Sequence, residues 1–116
     1  MKAKLKSVDL GSDVGVFEYV PNDPGRFNVW MNFTVGKLGG NGGDLFRLRV
    51  CTPDWLKENV APMSWGRHVL VVHAYNPQAI IDYVDRYISS LEEPDWPRLA
   101  NKLARVMEWE FEDYKP

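Results

Sequence analysis

Apolar and polar residues alternate cleanly from Phe27 to Val35. Phe27, Val29, Met31, Phe33 and Val35 fall on one side of an extended chain, and Asn28, Trp30, Asn32 and Thr34 on the other. The half-polar second side is that of an antiparallel sheet with one solvated face. The same period returns after a glycine-rich break, with Phe46, Leu48 and Val50 in register over Leu45 to Cys51. Residues 2–10 alternate more loosely and read as a first strand. Val14 to Val20 is a short apolar piece that can pair briefly before Asn22-Asp23-Pro24-Gly25 turns the chain. Arg67 to Tyr75 reads as a further strand. Its unbroken Val69-Leu70-Val71-Val72 predicts a central position covered on both faces.

The period then changes. Thr52-Pro53 supplies an N-cap and a first-turn proline, which predicts a short helix to about Asn59, ended by Pro62. Asn76-Pro77 opens a second helix in the same way. Ile80, Ile81, Val84, Tyr87, Ile88 and Leu91 make its apolar stripe at three- and four-residue spacing, and Glu92-Glu93-Pro94 ends it. Asp95 caps a third helix, with Trp96, Leu99, Leu103, Val106 and Met107 inward. Strands followed by helices predict an α+β fold, a mainly antiparallel sheet with two C-terminal helices packed on one face. At 116 residues the chain fits one domain, residues 1–116, and no linker divides it.

The tail alternates in another way. Met107, Trp109 and Phe111 are interleaved with Glu108, Glu110 and Glu112, and Asp113-Tyr114 follows. As a final strand this segment points its apolar side chains one way and its carboxylates the other, with no cation until Lys115. A surface of that kind suits a cationic macromolecule better than a small substrate. The formal net charge of −2 conceals the asymmetry. Residues 1–81 hold nine Lys/Arg against seven Asp/Glu, whereas residues 82–116 hold five against nine. An acidic C-terminal third argues against direct nucleic-acid binding, which needs a cationic face. The basic N-terminal residues Lys2, Lys4 and Lys6 precede no apolar signal region, and no run approaches the ~20 apolar residues of a membrane span. A cytoplasmic protein without membrane contact is the expectation.

Candidate chemistry is sparse. Gly36 to Gly43 holds five glycines in eight residues, but Gly36-Lys37 is followed by Leu38 and the segment leads into a strand. That is a long hairpin loop rather than a phosphate cradle, which needs Gly-Lys-Ser/Thr opening a helix. His68 and His73 are five residues apart, so a regular strand places them on opposite faces, where they cannot share a metal or a substrate. The lone Cys51 excludes an internal disulfide. It reads as a buried apolar thiol, because nothing local would lower its pKa. Asp82 with Asp85, and the tail glutamates, could hold a divalent cation. The first pair has Arg86 beside it, and the second lacks a turn to wrap an ion. No cofactor fingerprint or catalytic order is present, and a non-catalytic binding role is expected.

The segment Trp109-Glu110-Phe111-Glu112-Asp113-Tyr114 resembles the closing motif of the immunity protein 8 family of bacterial polymorphic-toxin and contact-dependent inhibition systems. Trp65-Gly66-Arg67, the Asn76-Pro77 helix start and Asp95-Trp96 are similar to that family as well. The resemblance covers about the second half of the chain. It implies a small cytosolic protein that binds the C-terminal toxin domain of a sister cell's effector and blocks it by occupying a surface. Where such a toxin is a nuclease, its active site must be basic, and an acidic inhibitor can mimic phosphate and steer encounter. On that reading Glu108, Glu110, Glu112 and Asp113, with Glu92, Glu93 and Asp95, are candidate toxin contacts. Trp55 and Trp30 are candidate aromatic anchors. The alternatives are that the carboxylates only solubilise an edge strand, that Trp109 and Phe111 are only core, and that Trp30 packs under a helix or loop. At the level of function, an adaptor domain without a toxin partner and a thiol-dependent enzyme using Cys51 remain open.

Overall fold

In the computed structural model, which describes residues 1–114, the chain is an α+β protein of five strands and three helices. The sheet consists of β1 (Ala3–Asp9), β2 (Asn28–Lys37), β3 (Asp44–Cys51), β4 (Val69–Val71) and β5 (Glu108–Trp109). The helices are α1 (Pro53–Asn59), α2 (Pro77–Ser90) and α3 (Trp96–Leu103). Each helix begins as its capping dipeptide predicts. Thr52, Asn76 and Asp95 accept from the backbone N–H three residues on, and each helix has Pro in its first turn.

Strands β1, β2 and β3 form an antiparallel meander, with Val35 opposite Asp44 and Phe33 opposite Phe46. The far edge of β3 is shared end to end. β5 pairs antiparallel with Phe46 and Arg47, while β4 pairs parallel with Arg49 to Cys51. The sheet is therefore mixed: three of its four strand pairings are antiparallel, as expected, and one is parallel. The cause is the α1 crossover, which carries the chain back to β3 in the same direction. The apolar run 69–72 is correspondingly not a central strand. It is a three-residue strip at the sheet's margin, and Val71 is 49% exposed.

One face of the sheet and α2 and α3 enclose the core. Met31, Phe33, Val35, Phe46, Leu48 and Val50 meet Ile80, Val84, Ile88, Leu99 and Leu103 there. At ~25 cal/mol per Å2, burial of such side chains supplies the main favourable term. The segment Val14–Val20 forms a turn rather than a strand, and only Val16 is buried. Tyr75 Oη holds this turn by donating to Val16 O at 2.6 Å. The hairpin between β2 and β3 is tighter than a long loop, because β2 continues to Lys37. Gly43 permits this: a Cβ there would lie 2.7 Å from Val35 O. Val106, expected inward, is 42% exposed because α3 ends at Leu103 and the chain turns before Met107 re-enters the core.

The tail departs most from its alternation. Only Glu108 and Trp109 are strand, and residues 110–113 turn away. Asp113 adopts φ 59° in that turn. Phe111 is consequently half exposed and stacks edge-on against Trp109 and Tyr114 instead of continuing an inner row. Lys115, the cation that closes the tail, lies outside the described residues.

Candidate functional site: the open face of the sheet

Cross-strand register decides what the uncovered face carries. Trp30 sits opposite Arg49, and Asn32 opposite Arg47, so both arginines share the outer face with the indole. The Arg47 and Arg49 guanidinium carbons lie 4.3 and 4.8 Å from the Trp30 ring centroid. Arg49 also lies 5.1 Å from the Trp55 ring, which α1 brings over the same face. Thr52 fixes that approach. Its buried hydroxyl accepts from Phe27 N at 3.2 Å and from Trp55 N at 3.4 Å, tying the start of β2 to the first turn of α1. Trp30 and Trp55 are each half-buried, held by stacked guanidinium groups rather than by core. Trp30 is the half-buried strand residue that the alternation put outside. Its cross-strand arginines, visible in the sequence as Arg47-Leu48-Arg49, were the unused signal.

Beyond α1, residues 60–67 loop out and return at His68. Trp65 is 97% and Met63 92% exposed. His68 takes φ 62°, a left-handed turn that histidine tolerates better than branched residues. Its Nε2 lies 3.1 Å from Ala104 O, and its carbonyl accepts from Arg49 N at 3.0 Å. The loop and α1 border a groove of about 530 Å3 floored by Trp30 and Arg49, with Lys57, Trp65 and Arg67 on its walls.

The acidic candidates are largely matched within the chain. Glu108 Oε1 accepts from Arg47 Nη2 at 3.0 Å. Glu112 pairs with Arg67, which joins the tail to the 60–67 loop. Glu110 Oε1 accepts from Leu45 N at 2.9 Å, and Asp113 is exposed in the closing turn. Glu92, Glu93 and Asp95 gather at the α2–α3 junction. There Glu92 meets Lys2 only through a backbone β-bridge and its side chain is exposed, Glu93 pairs with Lys102, and Asp95 caps α3 and approaches Arg98. The row is thus no continuous negative stripe; the sequence could not show that arginines of β3 and of the loop face it.

Cys51 and the histidines do not converge. The Cys51 side chain is fully buried, and that burial pushes its thiol above the ordinary value, with the nearby Arg49 opposing. His68 faces the α3 terminus, and His73 is exposed past β4. No group of three or more His, Cys, Asp or Glu is placed to hold a metal among the described residues. A second hollow of about 500 Å3 opens between α2 and the margin of β3, lined mainly by apolar side chains including Leu48, Tyr83 and Tyr87.

Fold and site together define a small α+β protein with one sheet face under helices and the other presented open, faced with tryptophan and arginine. The sequence profile described as Immunity protein 8 matches residues 3–114, and the chain belongs to the immunity protein 8 family. Membership brings with it a toxin system and a toxin protein as partner. Comparison with curated proteins and with solved structures gives no match. No helix among the described residues is long and apolar enough to cross a membrane.

Proposed function

We propose that this protein is the non-catalytic antidote of a polymorphic-toxin or contact-dependent inhibition system. It binds the C-terminal toxin domain of its partner effector in the cytoplasm and neutralises it by occupying its surface. The observation that carries this reading is the family match over nearly the whole chain, residues 3–114. The geometry supports it. The open face concentrates tryptophan and arginine, the residue types that dominate interface energetics, and no nucleophile is paired with a base there.

In this reading Trp55 is an aromatic anchor, and the tail carboxylates Glu108, Glu110, Glu112 and Asp113 form a polar rim. Glu92, Glu93 and Asp95 add negative charge at the α2–α3 end. The acidic excess of residues 82–116 then steers encounter with a basic toxin, such as a nuclease, at a rate that falls with salt. The test is co-expression. The C-terminal fragment of the reading frame just upstream arrests growth alone, and this protein relieves the arrest and co-purifies with the fragment. Arrest without relief overturns the proposal and favours the adaptor reading.

A further inference from the structure

The open face is not uniformly matched in charge. Arg47 has Glu108 and Arg67 has Glu112, but Arg49, between them on the groove floor, makes no ion pair among the described residues. Its Nε is buried without a hydrogen-bond partner. Two indoles hold the guanidinium plane in place, so an incoming group meets a fixed fork rather than a flexible side chain. Among the described residues, the charged ones lining the groove are Arg49, Lys57 and Arg67, with no carboxylate. Arg49 lines the groove, and a charge-assisted hydrogen bond from its guanidinium to an arriving carboxylate is among the stronger polar contacts.

We propose that this groove receives an acidic element of the toxin, a glutamate or aspartate side chain seated against Arg49 and flanked by Trp30, Trp55 and Trp65. The inference rests on the toxin-binding reading above and specifies the chemistry of that contact. It reverses the charge expected at the centre: the rim carboxylates Glu108 and Glu112 are paired with arginines of the same chain, while the floor is basic and takes a carboxylate. Alternating signs of this kind fix register and reject wrong partners. A nucleic-acid strand fits less well. It needs a track of phosphate contacts, whereas the groove offers one unmatched guanidinium and one lysine within a rim that carries Glu108 and Glu112. Trp65 fits the role of a hot-spot residue because it is almost fully exposed and supports no core.

Tryptophan indole N–H signals of the intact, nitrogen-15-labelled protein test this directly. Titrated at low salt with a hexaglutamate peptide, the Trp30, Trp55 and Trp65 signals shift. Those of Trp96 and Trp109, bonded to Asp44, stay in place as internal controls. Arg49→Gln removes the shifts while the control signals keep their positions. Groove signals that do not move, or that move more with a hexathymidylate strand than with the peptide, overturn the acidic occupant. With the toxin fragment, Arg49→Gln and Trp65→Ala each raise Kd about thirtyfold or more, Trp65→Ala at unchanged melting temperature and Arg49→Gln with the Trp96 and Trp109 signals in place. Values within threefold of the parent protein overturn the groove as the contact while leaving immunity, measured by growth rescue, intact. Absence of rescue by the parent protein defeats the toxin reading instead, and the peptide titration still decides the groove.

Discussion

Asp44 is the point where a single substitution reaches most of the tail architecture. Its Oδ2 accepts from Trp96 Nε1 at 2.9 Å and from Trp109 Nε1 at 3.0 Å, both partly buried. One carboxylate oxygen thereby joins the start of β3, the first turn of α3 and the end of β5. Hydrogen bonds to an ionised acceptor are worth ~1.5–3 kcal/mol each, toward the lower end where water reaches the site. Asp44→Ala is therefore expected to cost about 2–4 kcal/mol, and Asp44→Asn, which keeps one carbonyl acceptor, about half of that. Urea unfolding followed by circular dichroism measures this without relying on the indoles under test, and an unchanged m-value keeps the comparison two-state. The double-mutant cycle with Trp109→Phe is the sharper arm. Trp109 also stacks parallel to Phe46 at 6.2 Å, a contact that phenylalanine partly keeps. The cycle then isolates the N–H, and a coupling of about 1–2 kcal/mol is expected. Coupling below ~0.3 kcal/mol, or an Asp44→Ala cost below ~0.5 kcal/mol, would refute the pin.

Alkaline pH should weaken the fold in a defined way. Burial raises the Cys51 thiol and the Tyr75 phenol above their ordinary values, so both contribute stability that is complete at neutral pH. That stability is lost as pH rises past about 9, where the unfolded chain sheds these protons first. Cys51→Ala is expected to flatten the first part of the fall in melting temperature, and a slope identical to the parent's would contradict this. The native thiol should stay inert to a disulfide reagent at pH 8 and react only on unfolding, whereas prompt reaction would revive the thiol-enzyme reading. Gly43→Ala forces a Cβ against Val35 O and is expected to cost at least ~1–3 kcal/mol. Gly40→Ala, whose Cβ meets only Lys37 at 3.4 Å, should cost clearly less, and equal melting temperatures would show the hairpin to be slack. Glu112→Gln should change stability by less than ~1 kcal/mol, because Arg67 is more than half exposed. A larger loss would mean that the pair holds the 60–67 loop in place.

Local signals were legible wherever short-range chemistry decided the outcome. The two cap-plus-proline dipeptides and the Asp95 cap start the helices where the structure has them, and the Phe27–Val35 alternation sorts the core face from the open one. The misreadings share one cause, since in each the result depended on a partner distant in sequence. Val69-Leu70-Val71-Val72 looks central by composition, but its neighbour in the sheet is the last three residues of β3, and no strand among the described residues pairs its other edge. Alternation in the tail stops at Trp109 because β5, running antiparallel, there reaches the start of β3: Glu110 N donates to Leu45 O, its carboxylate takes Leu45 N, and the chain turns. Periodicity reports which residues could share a face; edge availability decides how many do.

The same dependence explains why the tail motif misdescribes the charge of its surface. Glu108 and Glu112 are prominent in sequence because no cation is near them there. In the fold they meet Arg47 and Arg67, residues 61 and 45 positions away. An exposed ion pair of this kind contributes little to stability, roughly 0–1 kcal/mol, so it is better understood as positioning than as glue. It aligns the two outer arginines toward the tail and leaves the central one, Arg49, held between indoles without an ion pair among the described residues. A surface that neutralises its flanks and presents its middle discriminates among partners by where their charges sit, not by how much charge they carry. On the toxin-binding proposal, such a placement of charge would separate a matching toxin from one of equal net charge.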